Sequence, residues 1–230
     1  MPMFFDSTML LLIPALIFAI WAQWKVQHTY QKFSQVRAAN GRSGREMALA
    51  IMTRNGVSDV AVEEVGGILS DHYDPRAKRV RLSHTNYRGD SIASIAVAAH
   101  EVGHVLQHHQ GYVPLAIRTT LAPVAQIGSF AAFPLFMIGL LFGGAMAGTL
   151  MDLGILFFTG AVLFQVVTLP VEFNASSRAL AQLTETGAVR PEEVGMAKKV
   201  LDAAALTYVA AAAMAALQLL RLVMIRNSRD

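Results

Sequence analysis

The chain has 230 residues, 15% of them charged and 54% hydrophobic, with a net charge of +3 and no cysteine. An ordinary soluble domain carries about 25% charged residues, so a solely soluble enzyme is excluded. The lack of cysteine excludes disulfides and thiolate metal ligands. The charges are unevenly placed, and four windows hold none: Ser7–Trp24, Thr119–Met151, Leu153–Val171 and Ala203–Leu220. About 20 mostly apolar residues cross a bilayer core, and each window qualifies.

The segment ahead of the first window, MPMFFD, lacks the positive start of a signal peptide, and no Ala-x-Ala cleavage pattern follows. Lys25, Lys32, Arg37, Arg42 and Arg45 follow instead. Residues 1–24 therefore read as a retained transmembrane anchor with its N-terminus outside. Residues 25–118 carry 12 of the 19 Lys and Arg, and residues 172–202 carry Arg178, Arg190, Lys198 and Lys199. Gly143–Asp152 carries none. The positive-inside rule then makes both polar regions cytoplasmic, residues 119–171 two transmembrane helices, and residues 203–230 a last helix with a tail. Arg221, Arg226 and Arg229 run against the rule at that last helix, which leaves its orientation open. Basic flanks of this kind account for the net charge, so the expected partner is the lipid bilayer and not nucleic acid.

Within the first polar region, Lys25–Ala39 reads as a helix continuing out of the first span. Ser43–Asn55 reads as a second helix, with Met47, Ala50 and Ile51 on one face and Gly56 as its stop. Val60–Val65 and Arg79–Ser83 read as short strands, the latter with the polar–apolar alternation of a half-buried strand. Asp71–Pro75 (DHYDP) reads as a turn-rich connection. The expected fold is mainly α and integral to a membrane. It has about four transmembrane helices and a cytoplasmic zincin-like catalytic lobe containing a small β element.

Ser91–Gln107 (SIASIAVAAHEVGHVLQ) is predicted to be the helix that carries the chemistry, with Asp90 or Ser91 as its N-cap. It contains His100-Glu101-Val102-Gly103-His104, the H-E-x-x-H pattern. Histidines at i and i+4 share one helix face and can reach one zinc ion. Glu101 between them can take a proton from a metal-activated water. At 100° per residue, Ile92, Ile95, Ala99, Val102 and Leu106 form one stripe, and the two histidines lie well away from it. One side of the helix is thus expected to be anchored and the other free for chemistry.

A hydrolytic zinc takes three protein ligands. His108 lies eight residues from His100, about 12 Å along the axis, too far for one ion. The metzincin extension is absent, because Gln107 and Gln110 stand where its Gly and His belong. His108 and His109 are therefore expected to be surface residues. After His104 the chain crosses the membrane twice and returns, and the first charge on that return is Glu172, which we take as the third ligand. Asp152, in Asp152-Leu153-Gly154, falls on the opposite side in this topology and is excluded.

These residues resemble the YugP-like bacterial membrane zinc metallopeptidases. The resemblance covers roughly Ser43 to Leu180 and rests on DHYDP (Asp71–Pro75), VRLS (Val80–Ser83) and SIASIAVAAHEVGH (Ser91–His104). GYVPL (Gly111–Leu115) and LPVEFNAS (Leu169–Ser176) complete it. It implies a membrane-bound, zinc-dependent peptidase in which His100 and His104 are zinc ligands, Glu101 the catalytic glutamate and Glu172 the third ligand. The arrangement is similar to that of larger gluzincin membrane proteases, whose ligand glutamate is followed four residues later by an aspartate. Here that position is Ser176, which leaves Asn174 or Ser176 to orient a zinc histidine. By analogy with related metallopeptidases, Arg79–Ser83 is the strand expected to align substrate by edge pairing. For DHYDP two readings stand side by side. His72 or Tyr73 lines the cleft and hydrogen-bonds the oxyanion, or Asp71 and Asp74 satisfy backbone donors in a turn.

The expected function is a zinc metalloendopeptidase acting on peptide or membrane-protein substrates at the cytoplasmic membrane surface, in a bacterial cell membrane. The alternative is a non-catalytic zinc-binding membrane scaffold, which would have no need of Glu101. Gly139-x-x-x-Gly143 and Gly144-x-x-x-Gly148 are expected to permit close helix packing, chiefly within the chain.

Overall fold

A computed structural model of the chain describes residues 7–67, 70–142, 146–187 and 189–228. A short 3-10 turn, Ser7–Leu12, leads into α1 (Ile13–Ser34), followed by α2 (Gly44–Arg54). Three strands follow, β1 (Ala61–Val65), β2 (His72–Asp74) and β3 (Arg79–Ser83), and then α3 (His84–Arg88) and α4 (Ile92–His109). Three long helices complete the chain: α5 (Val113–Phe142), α6 (Ala147–Glu185) and α7 (Pro191–Asn227). Four helical segments are long and apolar enough to cross a membrane: Ser7–Ser34, Val113–Phe142, Ala147–Glu185 and Pro191–Asn227. The mainly helical architecture with one small sheet is the expected one.

The chain divides into two compact units. The helical unit is built on Ala116–Pro170 together with the chain up to Ala22 and from Thr207 onward. In it α5 and α6 touch backbone to backbone at glycines. A Cβ at Gly128 would stand 2.7 Å from the Phe157 carbonyl oxygen, and one at Gly139 2.5 Å from that of Ala147. Gly139 therefore packs within the chain, as expected, whereas Gly143 and Gly144 lie outside the described residues. Ile127, Phe130 and Phe142 are exposed on the unit's surface, an arrangement suited to apolar surroundings. The Arg221 Nε donates to Thr8 Oγ1 at 3.2 Å, and the Arg226 Nε to Asp152 Oδ1 at 2.8 Å. These contacts gather the start of the first helix, the start of α6 and the end of α7. The last helix, from Thr207 onward, thus packs within this helical unit. Arg229 lies outside the described residues.

The second unit comprises Gln23–Leu115 and Val171–Leu206. Its α2 begins with a capping box. The Ser43 hydroxyl accepts from the Glu46 N–H, and the Glu46 carboxylate accepts from the Ser43 N–H at 2.8 Å. Met47, Ala48, Ile51 and Met52 are buried, while Ala50, predicted on that face, is only half-buried. Gly56 adopts φ +72 just past the helix end, as a stop residue should. Ala38 N–H donates to the Asp90 carbonyl and Ile92 N–H to that of Val36, which fastens the chain after α1 to the start of α4. Glu193 adds a second clip: its carboxylate accepts from the N–H groups of Ala39 and Arg190. The core joins α2, β3 and α4 to Ala179 and Leu183 of α6 and to Ala197, Val200 and Leu201 of α7.

The sheet has the order β1-β3-β2, with β1 parallel to β3 and β2 antiparallel to it. Two expectations change here. Arg79–Ser83 is the central strand, so both of its edges are already paired. The middle of the DHYDP segment, His72–Asp74, is itself a strand, with Tyr73 opposite Val80 and His72 opposite Arg81. Sequence alternation missed it because three residues are too few to show a period. The turn reading holds for Asp74 alone of its two aspartates. Asp74 accepts from the N–H groups of Arg76 and Ala77, both at 3.0 Å. Asp71 accepts from the Ser83 N–H at 2.7 Å, from the Ser83 hydroxyl and from Asn86 Nδ2 at 2.9 Å, tying β2 to the end of β3. Asn86 in turn accepts from the Tyr30 hydroxyl at 2.7 Å. Hydrogen bonds to a charged group contribute about 1.5–3 kcal/mol. Asp71→Ala should therefore lower stability by at least that amount, read as a drop in Tm of the detergent-purified protein.

Candidate metal centre

The centre is built where α4 and α6 cross in the second unit. Ser91 caps α4, its hydroxyl accepting from the Ser94 N–H at 3.1 Å, while the Asp90 carboxylate is engaged by Arg37. The predicted stripe of Ile92, Ile95, Ala99, Val102 and Leu106 is buried. The opposite side of the helix is not open, contrary to expectation: Glu101 and His104 are each only 8% exposed. The reason is α6, whose Val171, Ala175 and Ala179 are themselves buried. Gly103 makes this approach feasible. A Cβ there would stand 2.5 Å from the Ala175 carbonyl oxygen, inside any allowed contact.

Close approach brings Glu172 to the histidines. Its Oε2 lies 3.2 Å from His100 Nε2 and 3.6 Å from His104 Nε2. One ligand atom from each of His100, His104 and Glu172 lies within 4.8 Å of the other two. Three atoms held tetrahedrally at about 2.0–2.1 Å from one zinc stand about 3.4 Å apart, so the spacing suits a single ion. Among the described residues, no other group of three such side chains gathers this way. His72 is not part of it; its Nδ1 meets the Ser70 carbonyl oxygen and its Nε2 faces Arg81. His72 pairs with Arg81 on the face of the sheet away from buried Val80 and Leu82, so it does not line the centre.

The hydrogen bonds around the centre supply a second, chemical test of fit. Gln107 is fully buried and donates from Nε2 to the Val171 carbonyl at 2.8 Å and to Asn174 Oδ1 at 3.0 Å. Both donors are thereby used, so its Oε1 faces His104 Nδ1, 3.0 Å away, and Nδ1 must carry the proton. His104 Nε2 then presents a lone pair toward a carboxylate, an arrangement that requires a proton or a cation between them. Burial alone would push the His104 imidazole down. A hydrogen bond donated to Glu172 and the charges of Glu101 and Glu172 outweigh it, and the net direction is up. Ser176 Oγ stands 3.1 Å from His100 Nδ1 and orients the other ring. Of the two candidates from the sequence, Ser176 acts directly and Asn174 through Gln107.

Glu101 sits beside this group on the same helix. Burial pushes its carboxyl up, Glu172 and Asp71 push in the same direction, and the two histidines only partly oppose them. A carboxylate raised in this way is a stronger base than a free one, which suits it to accept a proton. His108 and His109 are exposed, as expected, but His108 has a partner, its Nδ1 lying 2.8 Å from the Tyr73 hydroxyl. Asp152 belongs to the other unit and pairs with Arg226. Sequence reasoning missed Gln107, Gly103 and Arg178. Arg178 donates to Asn174 Oδ1 at 2.7 Å and stacks 5.7 Å from the Tyr112 ring centroid. The one available signal was Gln107, three residues past His104 and so on its face of the helix. Gly103→Ala should separate α4 from α6, costing about 1–3 kcal/mol and lowering zinc stoichiometry, measured by thermal unfolding and metal analysis. Gln107→Leu keeps the volume but frees the His104 tautomer; zinc affinity should fall about 10–100-fold in a chelator competition.

The family model described as "putative neutral zinc metallopeptidase" matches residues 8–227. The "putative membrane protease YugP" of Bacillus subtilis (strain 168) is 50% identical over 221 residues, covering 96% of this chain and 97% of that protein. No solved structure matches the chain. The match runs through both units and includes the whole candidate centre, so the chain belongs to this family of neutral zinc metallopeptidases.

Proposed function

We propose that the chain is a zinc-dependent endopeptidase of the bacterial cell membrane, cleaving peptides or membrane-protein segments at the cytoplasmic surface. The observation that carries this reading is the convergence of His100, His104 and Glu172 beside Glu101. The two imidazoles and Glu172 would hold the ion, and a zinc so held supplies carbonyl polarisation and a water of lowered pKa. Glu101 accepts the proton of the attacking water and returns it to the leaving amine. Gln107 and Ser176 keep the imidazoles aimed, and the packing of α6 on α4 keeps bulk water from both carboxylates. The four apolar helical segments and the name of the Bacillus relative support the membrane. The concentration of Lys and Arg in residues 25–118 and 172–202 supports the cytoplasmic side. Glu172 follows the apolar window Leu153–Val171 directly in sequence, which favours cleavage close to the bilayer.

Substrate alignment falls to β2 in this reading, not to the central β3. It is an edge strand, antiparallel to the rest of the sheet and in contact with α4, so its outer edge is available to pair an extended peptide. A zinc scaffold without catalysis is the weaker reading, because it leaves the buried Glu101 without use. The deciding experiment is Glu101→Gln in the full-length protein. Zinc content should stay at the parental level while peptide cleavage falls by about 100-fold or more; parental cleavage at full zinc occupancy refutes the assigned role.

A further inference from the structure

A chain of polar side chains runs from the turn after α4 back to the candidate ligand His104. It begins at Arg178 of α6, which is seated by the start of the GYVPL segment. The Arg178 Nη1 donates to Gln110 Oε1, and its guanidinium lies 5.7 Å from the Tyr112 ring centroid. Gly111 adopts φ +64 between those two residues, and the Tyr112 N–H donates back to the Gln107 carbonyl at 2.9 Å. Held in this way, Arg178 donates from Nε to Asn174 Oδ1 at 2.7 Å. The same Oδ1 accepts from Gln107 Nε2 at 3.0 Å, and Gln107 Oε1 faces His104 Nδ1, also at 3.0 Å.

Donor and acceptor chemistry gives this chain a direction. A guanidinium carries donors and no acceptor, so the Asn174 atom that faces Arg178 must be oxygen. With that oxygen in place, Gln107 must turn its amino group to Asn174 and its carbonyl to His104. The proton of the imidazole then sits on Nδ1, and Nε2 keeps the lone pair that a metal takes. An Asn174 free to turn its amide over would set its own amino group against Gln107 Nε2, donor against donor. Gln107 would gain by turning over as well, would present a donor to His104 Nδ1, and would leave the proton on Nε2. The Val171 carbonyl, which accepts from Gln107 Nε2 at 2.8 Å, resists that second turn, so Arg178 and Val171 share the task.

We propose that Arg178 is a positioning residue for the metal centre, holding Asn174 as an acceptor so that Gln107 keeps His104 Nε2 free for the ion. The proposal rests on the zinc reading of His100, His104 and Glu172. The test measures the zinc affinity of the full-length protein in detergent by chelator competition, with thermal unfolding of the zinc-free protein alongside. Arg178→Met removes every donor of the side chain, and zinc affinity should fall about tenfold, the lower end of the range for groups that orient a ligand. The direction is diagnostic, because removing a nearby positive charge would by itself strengthen the binding of a cation. In the Gln107→Leu background, where the relay is already cut, adding Arg178→Met should weaken binding no further. Where Arg178→Met fails to fold, Asn174→Leu cuts the same relay with the guanidinium retained, and should likewise cost about tenfold. Unchanged or tighter zinc binding in folded Arg178→Met protein, or losses that multiply in the double variant, overturn the relay and leave the zinc reading standing. Parental affinity in Asn174→Leu does the same. A parental protein that binds no zinc overturns both.

Discussion

The backbone contact between α4 and α6 at Gly103 and Ala175 is the constraint on which the candidate centre depends. With no side chain at Gly103, a Cβ there standing 2.5 Å from the Ala175 carbonyl oxygen, the two helices approach until Glu172 stands 3.2 Å and 3.6 Å from the two imidazoles. Gln107 then spans the same crossing. It bonds at one end to His104 and at the other to Val171 and Asn174 of α6. One buried amide thus sets both the distance between the helices and the tautomer of a ligand, so packing and metal chemistry are not separable at this point. A buried polar bridge of this kind is costly when half satisfied and specific when complete, and here every polar atom of Gln107 is used.

The sheet serves the same centre from the other side. Asp71 joins the end of β3 to the start of β2 and, through Asn86, reaches Tyr30 of α1. Its negative charge also bears on Glu101, adding to the effect of burial. The aspartates of DHYDP therefore act structurally, while Tyr73 between them faces inward toward Val80 and meets His108. A five-residue motif divides its work by strand alternation: outward His72, inward Tyr73, and carboxylates at the ends that hold the strand in register.

Several features were legible in the sequence because they depend on local periodicity or on composition. The four charge-free windows fall on the four long apolar helices, and the Gly56 stop and the buried stripe of α4 follow from local pattern and spacing. Glu172 was also reachable, since it is the first charge after the second of the two apolar windows that follow the histidines. The short strand β2 was not, because three residues show no alternation against a turn-like composition. The exchange of roles between β2 and β3 was hidden too, since strand order within a sheet is decided by pairing distant in sequence.

The sequence by itself determined four helical segments apolar enough to cross a membrane and a helix shared by two histidines and a glutamate, because hydropathy and helical period are properties of neighbouring residues. Tertiary structure alone decided that the histidine face is covered, that Gln107 is tied to α6, that Ser176 orients the His100 ring, and that Tyr73 pairs with His108. Each of those outcomes joins residues some 35 to 76 positions apart or depends on how closely two helices approach. Such an approach is set by the absence of a single Cβ, and no local pattern in the sequence records which carbonyl that absence will meet.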